Sequence, residues 1–208
     1  MVNPEILQSL AKLDPKLEPV ISHYELKVES RDTEDVYFSL LRAINAQQLS
    51  VKAASTIFGR FLQLFENGYP AAFVLKDMDF EALRSVGLSR QKAGYVLNVA
   101  NYFYENKLQD ANWEQYKDEE IIEMLTTIKG VGKWTVQMIL IFSMNRMDVF
   151  PIDDLVVRQS MIKLYEVNPE QKKKALYSEL TQIAEKWKPY RSVASRFMWK
   201  MKDQKWIL

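Results

Sequence analysis

An all-α fold is predicted from three features of this 208-residue chain. Apolar side chains recur at helical spacing, runs of alternating β-branched residues are scarce, and breakers are few, with 6 glycines and 7 prolines. A hydrophobic share of 48% beside 26% charged residues is that of a soluble globular protein, folded as one domain or as two small packed lobes.

The elements follow in chain order. Residues 1–35 carry little pattern, and their one strand-like alternation, Glu25-Leu26-Lys27-Val28-Glu29, is short enough to be an extended connection. Phe38, Leu41, Ile44 and Leu49, then Ile57, Phe61, Leu64 and Phe65, mark amphipathic helices. Gly68 with Pro70, Gly87, the pair Gly130 and Gly132, Pro151, Pro169 and Pro189 cut the remainder into helices of ordinary length. Two segments are weakly alike. Leu83 to Leu88 leads into an apolar helix at Ala93–Ala100, and Leu125 to Gly130 leads into another at Trp134–Phe142. Both read as helix, tight turn, helix, but only the second has two glycines one residue apart. Past Pro151, Asp154 opens an apolar helix through Leu155, Val156, Val157, Met161 and Leu164.

Composition removes whole classes of chemistry. With 0 cysteines there are no disulfides, thiolate nucleophiles or cysteine-held clusters, and the single histidine, His23, leaves no histidine dyad or histidine metal site. Chemistry is left to carboxylates, hydroxyls, amines and backbone. No apolar run approaches the ~20 residues a bilayer requires, and Glu5, Lys12, Asp14, Lys16 and Glu18 occupy the place of a signal-peptide core. An intracellular location is expected, cytoplasmic or nucleoid, or nuclear in a eukaryote. The formal charge of +1 conceals polarity: Glu105–Glu123 holds seven acids against two lysines, while Gln171 to the C-terminus holds ten Lys/Arg against three acids. Such a chain can face a polyanion at one end, although solvated helix faces explain the same counts.

The glycine turn is the most specific local feature. In Ile128-Lys129-Gly130-Val131-Gly132-Lys133-Trp134-Thr135 the glycines permit a left-handed turn, and the next helix offers unpaired N–H groups at its start. That geometry suits a phosphate, with Lys133 adding charge and Thr135 a hydroxyl; it also suits a plain αα-corner. The Walker spacing and the preceding strand of a nucleotide-binding loop are missing. Likewise Asp153 or Asp154 could do no more than cap the helix that follows.

Leu125-x-x-Ile128-Lys129-Gly130-Val131-Gly132-Lys133-Trp134-Thr135 resembles the hairpin of the helix-hairpin-helix DNA glycosylases, and Phe150-Pro151-Ile152-Asp153-Asp154-Leu155-x-Val157-Arg158 resembles their catalytic-aspartate segment. Ala43-Ile44-x-x-Gln47-Gln48-Leu49-Ser50-x-x-Ala53-Ala54 and Trp187-x-Pro189-x-Arg191-Ser192-x-Ala194 are similar to blocks of the alkylated-base (3-methyladenine) branch. The blocks keep the family's order across residues 43–199, which leaves residues 1–35 poorly covered. The resemblance implies two helical lobes, 36–145 with the hairpin at about 119–145, and 1–35 plus 146–208, with Asp154 in the cleft between them. It also implies a chain without the extra N-terminal β domain of some bacterial relatives.

The implied function is hydrolysis of the N-glycosidic bond of alkylated purines in duplex DNA, by a monomer without organic cofactor, leaving an abasic site for base excision repair. Asp154 is the implied catalytic carboxylate, ahead of Asp153. The implied base pocket has Trp134 and Trp199, with Tyr37 and Phe38 as further candidates; Trp199, Tyr37 and Phe38 also suit a core. Relatives that cut the strand place a Schiff-base lysine directly before the threonine, where this chain has Trp134, so a monofunctional enzyme is expected. An aromatic face there attracts a cationic base by ~0.5–2 kcal/mol. DNA contacts are expected from Gly130, Val131, Gly132, Lys133, Thr135, Gln47, Gln48, Ser50 and Arg191, mainly to phosphates. Gln47 and Gln48 stand near the family's gap-filling residue, as amides in place of an apolar wedge. In the family, hairpin carbonyls often hold a monovalent cation, which assigns the backbone oxygens of Thr126, Ile128 and Val131 to sodium or potassium. A non-catalytic helix-hairpin-helix DNA-binding module, or a glycosylase for deaminated or mismatched bases, are the alternatives.

Overall fold

A computed structural model of the chain describes residues 2–26 and 35–203, and among these all regular structure is helical. The helices are α1 (Pro4–Leu13), α2 (Glu18–His23), α3 (Val36–Ala46), α4 (Val51–Leu62), α5 (Ala72–Leu75), α6 (Phe80–Ser85), α7 (Arg90–Glu105), α8 (Asp118–Thr126), α9 (Lys133–Phe142), α10 (Leu155–Tyr165), α11 (Lys173–Glu185) and α12 (Arg191–Asp203). Their starts are written in the sequence. Asn3, Asp35, Ser50, Asp79, Ser89 and Asp154 each turn a side-chain oxygen onto a backbone N–H of the first turn of the helix that follows. Of the alternation at Glu25–Glu29, Glu25 and Leu26 have no regular structure, and residues 27–29 lie outside the described residues.

The chain forms two compact units, Met1–Asp32 with Leu140–Leu208, and Thr33–Ile139. The division falls inside α9, not at residue 145 as the sequence suggested. Its physical cause is the attachment of the helix end. The Ile141 carbonyl accepts a hydrogen bond from Arg196 Nη2 at 2.6 Å, and the Phe142 ring lies 5.2 Å from the Trp199 ring.

Within the Thr33–Ile139 unit, α3 packs on α4 and α7, and α7 also holds α5 and α6. Leu40, Leu41, Ile44, Phe61, Leu75 and Phe103 fill its interior. The weak internal repeat is real in three dimensions: Gly87 between α6 and α7 has φ +109°, and Gly130 between α8 and α9 has φ +106°.

In the other unit α10 lies along α12, joined by a buried bond from Ser160 Oγ to the Met198 carbonyl at 2.7 Å. The N-terminal helices, which carried little signal, complete this core with Leu10, Leu17, Val20 and Tyr24 against Met161, Trp187 and Phe197. One buried carboxylate ties them down. Asp14, 3% exposed, accepts from Tyr165 Oη at 2.6 Å and from Trp187 Nε1 at 3.0 Å. Burial, and then the bond to Asp14, push the Tyr165 phenol's pKa up, which keeps its proton available to donate.

Replacing Asp14 by Ala strands the fully buried Trp187 N–H and the Tyr165 hydroxyl together. Asp14→Ala should therefore cost about 2–4 kcal/mol of stability, against about 1 kcal/mol for Tyr165→Phe, which leaves Trp187 paired. Denaturant midpoints at unchanged slope measure the difference, and equal losses in the two variants would contradict this account of the core.

Candidate active site

Asp154 and Asp153 are neighbours with opposite environments. Asp153 is exposed, whereas Asp154 is 8% exposed and stands at the N-cap of α10. Its backbone N–H bonds back to the Pro151 carbonyl at 2.9 Å, closing the turn that the proline begins. Its Oδ1 accepts the Val157 backbone N–H at 2.9 Å and the Trp199 indole N–H at 3.0 Å. Arg158, one turn into α10, braces the approach by donating from Nη1 to the Ile152 carbonyl at 2.9 Å, with its guanidinium 5.3 Å from the Tyr177 ring centroid. A carboxylate held this way is a fixed negative charge at the positive end of a helix, suited to stabilising a cation that forms beside it. Asp154 is thus a helix cap as well as a candidate catalytic group.

Trp199 meets Asp154 directly as a hydrogen-bond donor, and its ring packs against Phe142. Arg191, expected to touch phosphate, is committed within its own unit. Its Nε lies 2.7 Å from Asp148 Oδ1 and its Nη2 3.0 Å from Asp148 Oδ2. Bidentate pairing of that kind spends the guanidinium on holding the start of α12.

In the other unit, Trp134 stands 45% exposed in the first turn of α9. It lines a cavity of about 450 Å³ with Ala43, Ala46, Gln47, Gln48, Thr135 and Met138, a volume within the small-ligand range. The α3–α4 turn supplies the glutamines. Gln48 has φ +56°, a left-handed conformation uncommon outside glycine. The turn is tied from beneath: Asn45 Nδ2 donates to the Ala54 carbonyl at 2.7 Å, and Lys92 Nζ to the Asn45 carbonyl at 2.7 Å. Desolvation lowers the Lys92 pKa. Leu49, read from the sequence as part of a helix, lies in this turn 38% exposed, and Val51 beyond it is 88% exposed. Ser50 caps α4, its Oγ accepting the Ala53 N–H at 3.3 Å.

The hairpin glycines prove unequal. Gly130 takes the left-handed torsion, and a Cβ there would overlap the Tyr95 ring; Gly132 has no positive φ and open space around the position of a Cβ. Around them, Val131 donates its N–H to the Ile128 carbonyl at 3.0 Å, and Asn98 Nδ2 reaches the Lys129 carbonyl at 3.1 Å. Gly132 and Lys133 are exposed at the start of α9, whereas Thr135, 5% exposed, is a lining residue of the cavity. Tyr37 and Phe38 are away from this cavity. Tyr37 is 1% exposed and donates to the Pro70 carbonyl at 2.6 Å, its phenol pushed up by burial, while Phe38 stacks on Tyr69 at 6.0 Å. Tyr37 is part of the core, and Phe38 is half-buried at its edge between Phe58 and Tyr69. Among the described residues no cluster of three His, Cys, Asp or Glu could hold a metal, and no helix is long and apolar enough to cross a membrane.

Sequence reasoning missed Met138 in the cavity wall, and it missed the Phe142–Trp199 contact, the Arg196–Ile141 bond and the Asn45–Lys92 tie, which join residues remote in sequence. Leu49 was recoverable, as an apolar residue in a polar turn.

Comparison with known proteins identifies the family. Residues 41–186 match the family described as HhH-GPD superfamily base excision DNA repair protein. The chain is 35% identical over 207 residues to DNA-3-methyladenine glycosylase 1 of Schizosaccharomyces pombe, covering 94% of this chain and 89% of that one. Among solved structures, the S. pombe 3-methyladenine DNA glycosylase Mag1 in complex with abasic DNA superposes with TM-score 0.79 at 33% identity over 96% of this chain and 97% of that one. DNA-3-methyladenine glycosidase from Bacillus halodurans does so with TM-score 0.82 at 31% identity, over 96% and 89%.

The two glycines separate by stability. Gly130→Ala should lose roughly 2–4 kcal/mol from the left-handed torsion and the Tyr95 overlap, whereas Gly132→Ala should stay within about 1 kcal/mol of wild type. Thermal melts decide it; equal destabilisation at both positions would contradict the described turn.

Proposed function

The chain belongs to the HhH-GPD superfamily of base excision DNA repair proteins, and from that membership we infer a DNA glycosylase of the 3-methyladenine class that frees alkylated purines by hydrolysis. The observation that carries the reading is the Asp154 carboxylate, capped onto α10 and held by the Trp199 indole.

Breaking the N-glycosidic bond sends its electron pair to the base and leaves positive charge on the sugar, to which water then adds with loss of a proton. An alkylated purine that already carries positive charge leaves as a neutral base, so the enzyme's main task is to stabilise the sugar. Asp154 supplies that stabilisation from a position fixed before the reaction begins. The exposed Trp134 face offers attraction for a cationic base, worth ~0.5–2 kcal/mol, once the nucleotide has been extruded from the stack. Leu49 and the glutamines of the α3–α4 turn are suited to fill the gap left in the duplex: the leucine is apolar and exposed, and the turn beneath it is tied by Lys92 and Asn45. Backbone N–H groups at the start of α9, beside the exposed Lys133, grip a phosphate without reading sequence.

No amine occupies position 134, so the proposal is a monofunctional enzyme. It extends to a monomer that acts inside the cell on duplex DNA. It also extends to a monovalent cation at the hairpin, held by the carbonyls of Thr126, Ile128 and Val131. Thr126 ends α8, where carbonyls lack an intrahelical donor, and the Ile128 carbonyl, which accepts the Val131 N–H, keeps a second lone pair.

Purified protein acting on a methylated duplex should release free 3-methyladenine and leave an intact strand that breaks only after alkali. Chromatography of the released base and denaturing gels before and after alkali read both halves. Cleavage before alkali, with a borohydride-trapped adduct, would refute the monofunctional assignment, and release confined to deaminated bases would refute the substrate class. Gly132→Ala, with its fold intact, should bind abasic duplexes of every sequence more weakly than wild type; unchanged affinity would remove the phosphate grip.

A further inference from the structure

Asp154 must keep one orientation through the reaction, and Trp199 reaches it from a different helix, α12. An indole half-buried at a helix surface has two torsions to fix, and its N–H is useful only at one setting of both. Two side chains define that setting. Phe142, the last residue of α9, lies 5.2 Å from the Trp199 ring with an interplanar angle of 38°. Arg196 places its guanidinium carbon 5.0 Å from the Phe142 centroid and donates from Nη2 to the neighbouring Ile141 carbonyl at 2.6 Å. That carbonyl belongs to the last turn of α9, where a helix leaves acceptors without intrahelical donors and where a cation is favoured. Arg196 and Trp199 are three residues apart on α12 and so share a face. One face of α12 thus grips the end of α9 through a cation and an indole, with the phenyl ring touching both.

We propose that Phe142 and Arg196 are positioning residues which set the Trp199 indole at the angle from which its N–H fixes the Asp154 carboxylate. The inference rests on Asp154 as the catalytic carboxylate. It assigns Phe142 no contact with the base, so its influence on rate passes through Trp199.

That indirect route is what the experiment reads. Single-turnover release of 3-methyladenine from a methylated duplex and affinity for an abasic duplex are measured on wild type, Trp199→Phe, Phe142→Leu and the double variant. Trp199→Phe keeps an aromatic ring and loses the N–H; it should slow release by about 10–100-fold, with abasic affinity held within about twofold. Phe142→Leu should slow wild type about tenfold yet slow the Trp199→Phe protein by less than about twofold, because the contact it serves is already gone. The same cost in both backgrounds, or a loss of abasic affinity parallel to the loss of rate, overturns the proposal in favour of simple packing or direct base contact.

Arg196→Met carries the same test if Phe142→Leu does not fold. Arg196→Lys, which keeps a cation and a donor, should retain more of the rate than Arg196→Met, and equal rates would count against the brace. Asp154→Asn separates the two levels of the argument. If it turns over like wild type, the carboxylate assignment falls and the brace falls with it. If it is inactive while Phe142→Leu and Arg196→Met release base at the wild-type rate, the brace alone is refuted.

Discussion

Asp154 begins helix α10, and the oxygen that caps the helix also accepts the indole N–H of Trp199. The rest of the site answers to that one group. A carboxylate with a rotating side chain would have to reorganise as charge grows on the sugar, and reorganisation is the cost that preorganised sites avoid. Here a backbone N–H, an indole N–H and the field of a helix N-terminus have set its direction beforehand. The turn from Pro151, the Arg158 bond to the Ile152 carbonyl and the bidentate Arg191–Asp148 pair stiffen the backbone around the carboxylate, and α10 and α12 are joined through the buried Ser160 hydroxyl.

The two units hold different parts of the candidate site. The Thr33–Ile139 unit holds the cavity beside Trp134 and the tied turn at Gln47–Leu49; the unit of Met1–Asp32 and Leu140–Leu208 holds the carboxylate. Helix α9 belongs to both, with Trp134 in its first turn and Phe142 at its end. In the proposed scheme a substitution along this helix acts on the base pocket at one end and on the Trp199 contact at the other.

Much of this was legible because it depends on local chemistry. Caps, proline breaks and helical spacing place most of the helices, and the four motif blocks carry the family. Where the sequence left alternatives, the structure separates them: Asp154 is buried and Asp153 exposed, Gly130 bends the turn while Gly132 stands open, and Tyr37 is buried while Phe38 is half-buried against Tyr69. Where sequence reasoning fell short, the cause is a distant partner. Arg191 resembles a surface cation until Asp148, 43 positions away, is seen to hold it. Thr135, read beside the glycine turn, is buried in the first turn of α9 and lines the cavity with Met138. Helices α1 and α2 are tied to the core by Asp14 meeting Tyr165 and Trp187, contacts that span 151 and 173 residues and leave no local signature in the sequence.

In the proposed reaction the charge of Asp154, and not its shape, stabilises the sugar cation. Asparagine keeps the shape: it is as good an N-cap as aspartate and can still accept from Val157 and Trp199 through its carbonyl oxygen. The direct measurement is single-turnover base release by Asp154→Asn on a methylated duplex, with its melting temperature and abasic-duplex affinity measured on the same preparation. The account predicts a rate lower by at least ~10²–10³-fold, as for loss of a preorganised electrostatic partner, in a protein that melts and binds like wild type. Release at close to the wild-type rate from a folded Asp154→Asn protein would contradict it.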